Sequence, residues 1–225
     1  KVCPGDRTIL YAYWLSSCSW RVRAALHLKQ IPFEERPVEI VKEKQQNTDQ
    51  YRAINPAQKV PALRIDNETL VESMAIVQYL EDTRPEPALT PKTPLSRARM
   101  RELCEIIVSG IQPLQNVGLR PQFETVEQYT KFTRYWTDEG LKILEELLQK
   151  SAGKYCVGDQ ITLADICLVP QLYNAVTRCG WILICLILLV VNFILLVVNL
   201  FETCATYCSN CSIIATFPCS IPNCI

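Results

Sequence analysis

The chain has 225 residues with 23 basic and 23 acidic side chains, and a formal net charge of zero gives no electrostatic case for binding nucleic acid. Its length allows one large domain or two small ones. The charge is unevenly spread: no Lys or Arg follows Arg178 and Glu202 is the only acidic residue beyond it, which leaves residues 179–225 nearly uncharged.

Cysteine usage changes at the same point. Seven of the 12 cysteines follow Arg178, whereas Cys3, Cys18, Cys104, Cys156 and Cys167 are scattered among apolar runs, as reduced thiols of an intracellular protein would be. Lys1 to Arg7 is polar and has no apolar h-region, so no signal peptide is expected there.

Thr8 to Trp14 alternates as a strand, and an amphipathic helix is predicted over Trp20–Gln30. Between them lies Ser16-Ser17-Cys18-Ser19. Three hydroxyls and a thiol at a helix start meet unpaired backbone N–H groups and the positive end of the helix dipole, a setting that favours an anion and a thiolate above all. A simple N-cap explains the serines as well, and a buried, idle cysteine explains Cys18. His27 is the only histidine and sits about two helical turns past Cys18, too far for a Cys-His or Ser-His nucleophile pair. A histidine-rich metal site is excluded, and no metal is expected. The chemistry therefore points to an external nucleophile or cofactor.

Ile31-Pro32 ends the first helix, and Phe33–Val41 reads as a second strand that Pro37 restricts to an edge or short strand. Lys42–Ala53 is polar, a loop with a short helix. Val60–Asp66 and Thr69–Val71 pair across an Asn67-Glu68 turn, and helix Glu72–Thr83 follows. This βαβαββα order defines an α/β domain over residues 1–84. Prolines at 85, 87, 91 and 94 mark residues 85–94 as a linker.

Residues 95–178 read as all-helical, with helices over Arg97–Gly110, Val126–Lys150 and Leu163–Val176. Thr162 and Asp165 form a capping box before the last of these, Ile161 and Ile166 a hydrophobic staple, and Pro170 predicts a kink or strain midway.

In this order the parts resemble the cytosolic glutathione transferases, an α+β fold with a thioredoxin-like first domain and a helical second one. Ser16 to Arg23, Asn55-Pro56, Val60-Pro61, Gly110 to Asn116 and Tyr155 to Asp159 are similar to the zeta class in particular. The resemblance runs from about Ile9 to Arg178. It implies glutathione as cofactor, a homodimer in the cytoplasm, a small acidic organic substrate, and isomerisation of maleylacetoacetate to fumarylacetoacetate in tyrosine and phenylalanine catabolism. Conjugation or dehalogenation of α-halo acids at the same site, and an inactive glutathione-binding protein, are the alternatives.

By the same resemblance Ser17 is the thiolate stabiliser, with Ser16 and Cys18 as catalytic neighbours. Ser19, Trp20, Arg21, Gln46 (or Gln45), Val60, Glu72, Ser73 and Gln112 are implied glutathione contacts. In the family the proline after Val60 is cis and turns the Val60 backbone toward the tripeptide. Asn116, Val117, Gly118 and Arg178 are implied on the substrate side, although Val117-Gly118 departs from the usual Leu-Ser and Arg178 is one residue out of register. Simple capping, strand or solvent-facing roles are the plain alternatives for Ser73, Val60, Gln112 and Asn116.

The family continues with charged helices where this chain has residues 179–225. The 21 residues Trp181 to Phe201 carry no charge and are long enough to span a bilayer. A membrane anchor, a Cys208-x-x-Cys211 metal site and an aberrant gene-model end are the three readings of this tail.

Overall fold

The computed structural model describes residues 7–179; the side chains of residues 177–179, the 181–201 segment and the tail cysteines lie outside the described residues. Among those described, no helix is long and apolar enough to cross a membrane.

The first half is a four-stranded sheet flanked by helices. Strands β1 (Ile9–Ala12), β2 (Glu34–Pro37), β3 (Ala62–Ile65) and β4 (Glu68–Val71) lie in the order β2-β1-β3-β4. The β1–β2 pair is parallel, as the crossover through α1 (Ser17–Leu28) requires, and the other two pairs are antiparallel. Pro37 ends the edge strand β2, where its missing N–H costs no ladder bond. Successive β1 side chains point to opposite faces: Leu10 and Ala12 enter the main core with α1, while Tyr11 and Tyr13 join Val38, Tyr51 and Val60 on the other face. Tyr51 comes from the short helix α2 (Asp49–Ile54), capped by the Thr48 hydroxyl.

Three boundary shifts bear on the site. The hairpin turn is Asp66-Asn67, one residue earlier than expected; both have positive φ, 52° and 64°, so Ile65 pairs with Glu68. Helix α3 (Ser73–Thr83) starts one residue late, because Glu72 is held at φ 67° as the N-cap and cannot be a helical residue. Helix α1 starts three residues early: the Ser16 hydroxyl accepts from the Ser19 N–H at 3.2 Å and brings the Ser-Cys segment into the first turn.

The linker is tied down by a buried cation. Lys29 pairs with Glu81 and donates to the carbonyls of Arg84 (2.7 Å) and Pro87 (3.1 Å), while Glu81 accepts from the Leu89 N–H. Beyond it, α4 (Pro94–Glu105) runs into a wider π-helical turn, Ile106–Ile111, and two 3₁₀ segments, Gln112–Gln115 and Val117–Gln122, where a single helix to Gly110 was expected. Pro113 and Pro121 lack the N–H groups a continuing helix would need.

Helix α5 (Val126–Ser151) packs against this segment so closely that a Cβ at Gly140 would lie 2.3 Å from Ile111 Cγ1. Helix α6 (Leu163–Cys179) continues through Pro170 and is buried against α1, α4 and α5, which joins the two halves in one core. Half of the expected capping box forms: Asp165 accepts from the Thr162 N–H (2.7 Å), the Thr162 hydroxyl (2.9 Å) and the Cys156 N–H (2.9 Å), while its own N–H goes to the Thr162 carbonyl rather than to the hydroxyl.

Candidate active site

Packing α6 on α1 leaves a cleft where the start of α1 faces the helical half. The empty space there is roughly 430 Å³, open mouth included. Tyr13, Leu15, Ser16, Ser17, Ile40 and Val41 line one wall. Gln112, Gln115, Asn116, Val117 and Asn174 line the other.

At the α1 terminus, the Ser16 carbonyl takes the Trp20 N–H and the Ser16 side chain takes that of Ser19. The N–H groups of Ser17 and Cys18 are left with no intrahelical acceptor, beside the Ser17 hydroxyl on the cavity wall. Ser16 is thus a cap that also borders the cavity. The Ser17 side chain lies beside the Cys18 thiol. Burial pushes that thiol above its ordinary value, Glu72 and Cys167 add to the rise, and the Arg21 guanidinium and the Ser17 side chain only partly oppose it. Cys18 is therefore a neutral thiol and a poor nucleophile.

The other motif residues turn away from the cavity. Ser19 is fully buried and accepts from the Tyr13 N–H at 3.3 Å. Trp20 packs edge-to-face on Tyr173 of α6, with ring centres 5.3 Å apart. Arg21, only 2% exposed, donates from Nη1 to the Ser73 hydroxyl (3.2 Å) and lies 3.7 Å from the Cys18 sulfur. Its Nε and Nη2 are buried without partners.

Around this terminus stand the more distant implied contacts. Val60 precedes a cis peptide bond to Pro61, and its N–H and C=O make no backbone hydrogen bond among the described residues. Ser73 is the first residue of α3, next to Glu72, whose exposed side chain caps nothing. The choice between Gln45 and Gln46 is sharpened: Gln45 spends both ends of its amide on Glu39 and Glu43, whereas Gln46 donates to the Ile40 carbonyl and keeps a buried, unpaired Oε1. None of Gln46, Val60, Glu72 and Ser73 lines the cavity itself.

On the helical side Gln112, Asn116 and Val117 reach the cavity. The Asn116 Oδ1 also accepts from the Gly118 N–H at 2.9 Å, so its carbonyl end is spent on a local turn. Gly118 does not line the cavity, and the Arg178 side chain lies outside the described residues. Two buried amides, Gln115 and Asn174, were missed in the sequence. Gln115 belongs to the Gly110–Asn116 motif, which was a usable signal; nothing in the local sequence marks Asn174. Among the described residues no cluster of His, Cys, Asp or Glu could hold a metal, and Cys18, Cys104, Cys156 and Cys167 are free thiols.

Residues 10–88 match the glutathione S-transferase N-terminal domain and residues 118–179 the C-terminal domain. The chain is 51% identical over 171 residues to probable maleylacetoacetate isomerase 1 of Drosophila melanogaster, covering 75% of this chain and 69% of that one. Its fold superposes with a TM-score of 0.71 on a holo maleyl pyruvate isomerase, a bacterial zeta-class enzyme, at 38% identity over 74% of this chain and 82% of that one. A glutathione-bound maleylacetoacetate isomerase from Anaeromyxobacter dehalogenans gives 0.69 at 42% identity, covering 79% and 84%. With the two domains, the serine-capped α1 terminus and the interdomain cleft in place, these likenesses make the chain a member of the glutathione S-transferase family, in its zeta class.

Proposed function

We propose that the chain is a glutathione-dependent isomerase that converts maleylacetoacetate to fumarylacetoacetate, acting as a cytoplasmic homodimer. The observation that carries this reading is the α1 terminus. There the Ser17 hydroxyl, beside two N–H groups without acceptors, opens on a cleft whose opposite wall holds the amides of Gln112 and Asn116. The relatives named above support the choice of substrate.

The residues fit a tripeptide with two carboxylates, an amine and a thiol. Ser73 and the first-turn N–H groups of α3 suit the γ-glutamyl carboxylate, and Glu72 its amine. Val60 offers a strand-like backbone edge, and the unpaired Gln46 Oε1 an acceptor near the glycyl end. When bound, glutathione supplies a thiolate that adds to the cis double bond and leaves after rotation, as the trans double bond re-forms.

The chain's own task is electrostatic. Ser17 donates to the sulfur anion, and the dipole of α1 favours negative charge at the same point. Arg21 supports this wall from behind by fixing Ser73 and adding a buried positive charge. Gln112 and Asn116 bound the substrate's space.

The test combines retention of the full-length protein on immobilised glutathione with NMR of the substrate's double bond. The reading requires trans product only when glutathione is present, without net consumption of the thiol. Retention without turnover would make the chain a binding protein, and loss of both would abandon the reading. Light scattering tests the dimer.

A further inference from the structure

One polar group on the cavity wall has no hydrogen-bond partner among the described residues. Asn174 is only 4% exposed, in the middle of α6, among Gln171, Leu172 and Ala175, which are buried with it. Its side chain borders the cavity, its Oδ1 is buried with no hydrogen-bond partner, and its amide bonds to no other described residue. A buried, unsatisfied amide costs stability that a leucine of similar size would not. The Nδ2 of this cavity-lining amide has no hydrogen-bond partner among the described residues, so it is the end free to bind.

A second orphan stands one turn away. Gln115 donates from Nε2 to the Gln171 Oε1 at 2.9 Å, which fixes Gln171 and leaves its own buried Nε2 without an acceptor. Gln171 thus carries a spare donor and Asn174 a spare acceptor, three residues apart on one helix, where side chains are neighbours. Gln115 and Asn174 both line the cavity, and Gln171 lies behind them, bonded to Gln115. A keto acid with two carboxylates presents only acceptors, so it meets the Nδ2 of Asn174 and leaves Oδ1 to the spare Gln171 donor.

We infer that Asn174 is a substrate-binding residue, whose Nδ2 donates to a carboxylate or keto oxygen of the acidic substrate opposite Ser17. This rests on the reading of the cleft as a glutathione and keto-acid site.

The experiment compares wild type with Asn174→Leu and Asn174→Asp in the full chain. Calorimetry gives the affinity for glutathione and for S-(1,2-dicarboxyethyl)glutathione, the adduct that adds two carboxylates to the same tripeptide; melting gives stability. Asn174→Leu should melt no lower than wild type, bind glutathione unchanged, and lose about 10-fold or more in affinity for the adduct, as expected for a hydrogen bond to a charged group. Asn174→Asp should lose at least as much, since its carboxylate repels the ligand, and it serves if the leucine variant does not fold. In turnover, the loss should fall on KM more than on kcat.

A parallel fall for both ligands, or a lower melting point with the affinity ratio intact, would overturn the inference and make Asn174 structural. If wild type fails to isomerise while the ratio still shifts, the reaction assignment falls and the Asn174 contact stands.

Discussion

Arg21 Nη1 donates to the Ser73 hydroxyl at 3.2 Å and lies 3.7 Å from the Cys18 sulfur, so one buried guanidinium links the first turns of α1 and α3. Both helix starts present N–H groups to the region assigned to glutathione. Among the described residues this cation makes no salt bridge and two of its nitrogens are unpaired, so it adds a positive field beside the site.

That field has a measurable effect on Cys18. The guanidinium lowers the thiol's pKa against the larger effect of burial. Arg21→Met should raise the thiol further and slow its alkylation by iodoacetamide at mildly alkaline pH. Mass spectrometry of the Cys18 peptide reads the rate; a faster reaction in folded protein would contradict the assignment.

His27 governs stability near neutral pH. Burial holds its imidazole below the ordinary 6.5, Arg23 adds to this and Glu35 opposes it. Below 6.5 the unfolded chain therefore binds a proton that the folded one does not, and stability falls as pH falls through that window. Urea midpoints should drop between neutral and mildly acidic pH. As the chain has no other histidine, His27→Gln should flatten the drop, and an unchanged slope would reject the cause.

Asp165 should be the most sensitive acidic residue. It accepts three hydrogen bonds at the start of α6, two from Thr162 and one from Cys156. Asp165→Ala should cost about 2–4 kcal/mol, since buried donors lose a charged acceptor. Melting should fall by roughly 5–15 °C; a shift of about 1 °C would show the cap to be dispensable.

The fold was legible where local pattern dictates it. Alternation over β1 and β3, Pro37 at an edge, and the Thr162/Asp165 box each act within a few residues. Illegible features depend on distant partners. Lys29 reads as a surface lysine until Glu81 and the linker carbonyls close over it. Likewise the Gln115–Gln171 bond spans 56 residues, and nothing local says which amides on α6 and on the 3₁₀ turns before α5 face inward. At the site, the serine terminus of α1 was readable, but the buried roles of Ser19, Trp20 and Arg21 follow from the helix starting three residues earlier than its apolar pattern indicates.

In the proposed mechanism Ser17, rather than Cys18, is the group that stabilises the thiolate. The decisive measurement is kcat for glutathione-dependent isomerisation in Ser17→Ala and Cys18→Ala. Removing an aligned donor to a developing anion should cost about 100-fold or more for Ser17→Ala. Cys18→Ala, which removes a neutral and half-buried thiol, should stay within about 10-fold of wild type. The reverse ranking would contradict the account.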